Sequence, residues 1–303
     1  MTIRRPFDDL IDLLKQLPKA NSIAVTTDLP GASPADSIAE NDISQLLIWL
    51  AKWQKTSSPT LKESYICVFA SSYDEYDEQA RLLSFIESAG KGREPISQLC
   101  KERGVGLRVL EMALEVPHVV SENWPEKDCM AAVAFGMQAT AAGGDMLGLA
   151  SLSPGSEYHC PALCRQYISI INHKNQNVMD NNSLNTLNIE ILEVMKNHAG
   201  REVAAMVGAL IAARSSSLPV LVEGWSGIAA LTILTTFGIE LADHVKIASV
   251  ECKEQLEIVN ALGMHPVIGG SVNLGAGCGI ALAISAMAPL LHLTVKEASA
   301  SSF

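Results

Sequence analysis

Apolar and polar positions alternate along this chain in two distinct rhythms. Short β-branched runs recur at YICVFA (65–70), LRVLEM (107–112), DMLGLA (145–150), LPVLVEG (218–224) and HVKIAS (244–249), and each predicts a strand. Between and after them, 126–142, 201–214, 225–236 and 252–262 carry the length and spacing of helices. Strands that alternate with helices across short joints imply an α/β fold: a mostly parallel, Rossmann-like sheet with helices on both faces.

The ends of the chain read differently. Residues 1–60 predict an N-terminal helical segment, in which SQLLIWLAKWQ (44–54) is amphipathic, and 61–303 predict the α/β domain. The Asn-rich stretch NHKNQNVMDNNSLN (172–185) reads as an internal linker or long surface loop. A helix over 188–197 and the C-terminal helix are expected to join the N-terminal helices in a smaller helical layer.

Composition narrows the class. Of 303 residues, 48% are hydrophobic and 18% charged, enough for a sizeable core. A net charge of −11 and the lack of any basic run argue against nucleic acid. The mean hydropathy of +0.21 raises the question of a membrane. Yet GIALAISAMAPLL (279–291) and VAAMVGALIAA (203–213) fall short of the roughly 20 residues of a spanning helix, and 219–239 carries Glu223. Seven cysteines, an odd number scattered through apolar stretches, suit buried thiols in a reducing cytoplasm better than a disulfide framework. The opening MTIRRPFDDLIDLLKQ has no apolar core of a secretory signal.

Four stretches could carry chemistry. NLGAGCGIALA (273–283) places Gly275, Gly277 and Gly279 at alternating positions ahead of a buried helix. Ile280 stands where a dinucleotide fingerprint needs glycine, and no Lys-Ser/Thr follows for a nucleotide-triphosphate loop. What remains is a helix N-terminus suited to an anion or a carbonyl, or glycines that only permit tight packing. HCPALC (159–164) offers a His and two cysteines without the second ligand pair of a structural zinc site, so no metal is expected. GWSGIA (224–229) lacks the glycine two residues after the serine of a nucleophile elbow. The acidic SSYDEYDEQ (71–79) follows a strand end, where it is a solvated loop or a cation site.

Two long segments are less generic. AGREVAAMVGALIAARSSSLPVLVEGWSGIAALTIL (199–234) and ALGMHPVIGGSVNLGAGCGIALAISAMAPLL (261–291) resemble nicotinate-nucleotide–dimethylbenzimidazole phosphoribosyltransferases. In that family the first reads like GGxEIAAxxGAxxAAxxxxxPVxxDGF, matched by Gly200, Glu202, Pro219 and Gly224, and conservatively by Glu223 and Trp225. The second reads like ALGLxPLLxLxxRLGEGSGAALAxPLL. IWLAKWQ (48–54), VFAS (68–71) and FGMQATAAGGDMLGLA (135–150) extend the resemblance to most of the chain.

The resemblance implies transfer of phosphoribose from nicotinate mononucleotide to a benzimidazole nitrogen, in cobalamin lower-ligand synthesis, without a cofactor. The Glu of LGEGSG removes the proton of the base, and Ala276 occupies its position here. The GEMGIGNTT phosphate loop is represented by ASLSPGSEY (150–158), which keeps Gly155, deletes an amide donor at Pro154 and adds a charge at Glu157. PPGSLGRLE falls on SPADSIAENDIS (33–44) and is unrecognisable; the stretch after FAxxHGV becomes 71–97. In ASHxSAEPGH, Ala248 and Ser249 survive while Val250 and Cys252 replace the His and second Ser. The expectation is a divergent, catalytically silent relative. It would bind a nucleotide or aromatic base through Gly155, Ser249, Gly275, Gly277 and Gly279, or pair as a homodimer or with an active homologue. The alternatives are an active transferase whose displaced base is Glu202, Glu223 or Asp74, and a scaffold with no small-molecule site.

Overall fold

The computed structural model describes residues 4–18, 43–76, 78–121, 124–177 and 180–300. In chain order these form α1 (Pro6–Gln16), α2 (Ile43–Gln54), β1 (Ser64–Ala70), α3 (Gln79–Gly90), α4 (Pro95–Arg103), β2 (Gly106–Glu111), α5 (Glu126–Met137) and β3 (Met146–Leu152). There follow α6 (Ser156–Gln176), α7 (Asn181–His198), α8 (Arg201–Ser215), β4 (Val220–Val222), α9 (Gly224–Phe237), β5 (Val245–Ile247), α10 (Lys253–Ala261) and α11 (Cys278–Ala300). All five predicted strands are present. Every pairing is parallel, in the order β2-β1-β3-β4-β5.

Burial on both faces explains why these strands read as continuous apolar runs. Along β1, Tyr65, Cys67 and Phe69 enter one core, while Ile66 and Val68 enter the core on the opposite face. The larger core packs the sheet against α1 and α5 to α10. The smaller takes α2, α4 and α11, with Gly148 of β3 leaving room for Ile280: an added Cβ would lie 2.6 Å from that side chain. Only β2, at the sheet edge, alternates half-buried with exposed positions.

Three sequence expectations need correction. The Asn-rich 172–185 is no linker: α6 runs through to Gln176 and α7 begins at Asn181, leaving a joint over 177–180. Packing extends α6, because Lys174 Nζ donates to the last carbonyls of α9, Thr236 and Phe237. Asp180 then restarts the chain as an N-cap, accepting from Ser183 N–H at 2.8 Å. The helix expected over 126–142 ends at Met137 and tightens into a 3-10 turn over 138–140. Finally, the terminal helices do not share one layer. α2 packs on α11 beneath one face, while α1 packs on α5 and α7 across the other. The stretch 33–42 lies outside the described residues.

Candidate functional site at the carboxyl edge of the sheet

The chain leaves β1 toward β2 on one side, and β3 then pairs on the other, so a topological switch point lies between β1 and β3. In open α/β sheets, ligands bind in the crevice outside the strand ends at such a point. Here it is bounded by Ser71–Tyr73 after β1 and Ser153–Gly155 after β3, with Glu223 after β4 and Ser249 after β5 beside it.

Glu223 approaches the glycine loop. It is a buried carboxylate that accepts the N–H of Gly277 and, at 2.8 Å, the N–H of Ile280. The anion at the N-terminus of α11 is therefore the chain's own. Closeness is enforced by Gly279, where an added Cβ would stand 2.0 Å from Ser249 Oγ and 2.6 Å from Glu223 Oε2. Gly277 holds φ at +85°, a conformation that favours glycine. Gly277, Gly279, Ser249 and Glu223 thus form one cluster, while Gly275 is exposed, with nothing within 4 Å of an added Cβ. Ala276 sits half-buried among them, its methyl group against the smaller core. Burial pushes the Glu223 carboxyl up to about 7, helped by the nearby Glu251 charge and opposed by the backbone amides.

The second retained acid, Glu202, begins α8 with no solvent exposure. Its Oε1 accepts from Tyr73 Oη at 2.6 Å and from Ser226 Oγ at 3.2 Å; its Oε2 has no hydrogen-bond partner. Burial raises its pKa, against the pull of the surrounding hydroxyls. Gly200 permits this contact, since a Cβ there would lie 2.0 Å from Tyr73 Oη.

In the loop after β3, Gly155 caps α6 with φ at +105°. Its N–H donates to Glu157 Oε2 at 3.0 Å, and a Cβ would meet the Tyr76 ring at 2.7 Å. Tyr76 in turn stacks on Tyr158 with centroids 5.4 Å apart. The acidic loop after β1 therefore folds over this helix start, although Asp74 itself is exposed, with its backbone N–H donating to His118 O at 3.1 Å. Glu157 and Glu223 both act on this edge together with Glu251, whose carboxyl is raised by burial and by the Glu157 charge.

Sequence reasoning missed the aromatic chain behind the edge. Tyr73 stacks on His159 at 5.1 Å and meets His118 edge-on at 6.1 Å, and His118 meets Trp124 at 4.6 Å. Burial and the Arg201 charge push His118 down to about 4, which keeps it neutral. The one available signal was Tyr73's place three residues beyond a strand end. Among the described residues no group of three metal-ligating side chains converges. Cys160 and Cys164 of HCPALC are buried thiols, and Cys252 is the exposed one of the seven. Ser226 of GWSGIA is likewise buried, serving Glu202. No helix of the described residues is long and apolar enough to cross a membrane.

The fold is shared with solved structures. Nicotinate-nucleotide-dimethylbenzimidazole phosphoribosyltransferase from Thermus thermophilus superposes with a TM-score of 0.66 at 16% identity, covering 95% of each chain. Residues 168–300 match the phosphoribosyltransferase family model, which gives the class of protein. The Allorhizobium ampelinum nicotinate-nucleotide–dimethylbenzimidazole phosphoribosyltransferase is 28% identical over 92% of this chain and 90% of its own. That of Rhizobium meliloti is 27% identical over the same shares. Over nine-tenths of its length this chain is similar to nicotinate-nucleotide–dimethylbenzimidazole phosphoribosyltransferases, with which it shares the fold.

Proposed function

We propose that this chain is a member of the family that keeps the fold without the transfer reaction, retaining a nucleotide- or base-binding role or a role as partner of an active homologue. One observation carries the reading. At the carboxyl edge, the helix starts of α11 and α6 are both served by the chain's own carboxylates, Glu223 and Glu157. An incoming phosphate would have to displace Glu157 and face the negative charges of Glu223 and Glu251. Position 276 offers a methyl group where the family presents a carboxylate, and loss of a positioned base typically costs about 10²–10⁴-fold in rate.

An active transferase with a displaced base has one observation in its favour: a buried Glu223 raised to about 7 lies in the range of a general base. Against it, both Glu223 oxygens already accept backbone amides at the start of α11.

The deciding measurement is chromatographic detection of product after incubating the purified protein with nicotinate mononucleotide and dimethylbenzimidazole. The wild type is expected to show no transfer, and Ala276→Glu alone none either, because the phosphate loop remains altered. Turnover by the wild type that is lost in Glu223→Ala would establish the displaced base instead. Thermal-shift titration with nicotinate mononucleotide and with dimethylbenzimidazole reads retained binding, and sedimentation with an active homologue reads the partner role. A response to none of these would leave a scaffold.

A further inference from the structure

The carboxyl edge carries negative charge that the chain leaves unmatched. Glu157 lies in the first turn of α6, Glu223 follows β4 and Glu251 stands beyond β5, so three different segments each bring a carboxylate to this edge. They are close enough to act on one another: the Glu157 charge raises the Glu251 carboxyl, and the Glu251 charge raises that of Glu223. Among the described residues none of the three forms an ion pair. Lys253, two residues beyond Glu251, pairs with Glu257 instead, and Arg165 of α6 pairs with Glu254. At the helix starts, the Gly155 N–H is taken by Glu157, and the Gly277 and Ile280 amides by Glu223. Like charges gathered without a counter-ion set up a negative potential that draws in cations.

Two further features lie beside these acids. Tyr76 packs on Gly155, whose N–H Glu157 holds, and stacks on Tyr158, which is 65% exposed. Ser249 is 1% exposed and its hydroxyl has no hydrogen-bond partner; a Cβ added to Gly279 would meet both that hydroxyl and the Glu223 carboxylate. We propose that the carboxyl edge takes an aromatic organic cation that carries no phosphate, such as a ring-alkylated benzimidazolium. The assignment deepens the binding role proposed above and rests on it. Glu157 and Glu251, both exposed, attract the charge, while the tyrosine pair offers a π-face to a flat cation. A metal ion fits less well, since among the described residues no three metal-ligating side chains converge. A phosphate monoester would be repelled by all three acids and would find the Gly155, Gly277 and Ile280 amides occupied.

The test is calorimetric titration of the whole chain at about pH 8, above the Glu223 value of about 7, with three probes. These are 1,3-dimethylbenzimidazolium, a permanent cation; 1-methylbenzimidazole, its counterpart neutral at that pH; and nicotinate mononucleotide. The cation is expected to bind at least tenfold more tightly than either, and to weaken several-fold as salt rises from about 0.02 to 0.2 M. Glu157→Gln combined with Glu251→Gln should weaken the cation at least tenfold and leave the neutral probe unchanged. Tyr158→Ala, which keeps every charge, should weaken it about two- to fivefold. Equal binding of the neutral probe, indifference to salt, an unaltered double variant, or no binding of the cation would each overturn the proposal. Tighter binding of nicotinate mononucleotide without transfer product overturns the charge assignment and leaves the inactive reading standing. Product formed from nicotinate mononucleotide and dimethylbenzimidazole would overturn that reading, and this assignment with it.

Discussion

Glu223 and Glu202 are both buried, both match acids of the family's pattern, and both stand at the start of a helix or just before one, yet they are held by different chemistry. Glu223 reaches across the fold to the N-terminus of α11 and is gripped by backbone amides. Glu202 stays over its own helix and is met by side-chain hydroxyls from Tyr73 and Ser226. Backbone amides cannot rotate away, so Glu223 works as an anchor that sets where the glycine loop and Ala276 stand. Hydroxyls can turn to donate or accept, so Glu202 tolerates either protonation state. Two acids that look alike in the sequence therefore differ in how much structure depends on their charge.

The largest effect that separates them is expected from truncation. Glu223→Ala leaves two buried amide donors unpaired and should destabilise by about 3–5 kcal/mol in urea unfolding, with α11 displaced from the sheet. If the loss is under about 1 kcal/mol, Glu223 is no anchor. Next comes the isosteric pair: Glu223→Gln turns an NH₂ group toward one of those amides and should cost about 2–3 kcal/mol, whereas Glu202→Gln keeps an acceptor for Tyr73 and should cost about 1 kcal/mol or less. Equal costs would erase the distinction.

Titration sharpens the same contrast. Folding raises Glu223 from 4.5 to about 7, so the folded state holds this proton more tightly than the unfolded chain. Its contribution to stability is full below about pH 4.5 and is lost as pH rises through about 7, a span worth roughly 3 kcal/mol. Unfolding free energies of wild type minus Glu223→Gln, measured between pH 4.5 and 8, should fall over that window. A flat difference would mean that the amide grip cancels the effect of burial. The smallest effect is reserved for the exposed helix start: Glu157→Gln, removing a charge from the N-terminus of α6, should change stability by only about 0.3–1 kcal/mol.

The strands were legible because a parallel sheet covered on both faces demands uninterrupted apolar runs, which no surface loop supplies. The helix ends were harder. Asparagines at 172–185 weaken intrinsic helix propensity, but the Lys174 cap onto α9 and the buried Tyr167 anchor α6 through that composition. The restart at Asp180 was readable, since an Asp followed three residues later by a donor N–H is an ordinary N-cap. The layering of the terminal helices was not. It depends on Trp49 and Trp53 donating to Asp243 O at 2.9 and 3.0 Å, pairings of residues nearly two hundred positions apart.

The site divides in the same way. Local sequence determined the alternating glycines before a helix, the altered loop around Gly155 and the absence of a carboxylate at 276, because each is a property of neighbouring residues. Tertiary structure alone decided that the anion at the glycine loop is Glu223, that Tyr73 and Ser226 serve Glu202, and that Glu157, Glu223 and Glu251 gather at one edge. These depend on which strand ends and helix starts are brought together, and no periodicity within a segment encodes a contact with another segment, whether 24 positions away, as for Ser226 and Glu202, or 54, as for Glu223 and Gly277.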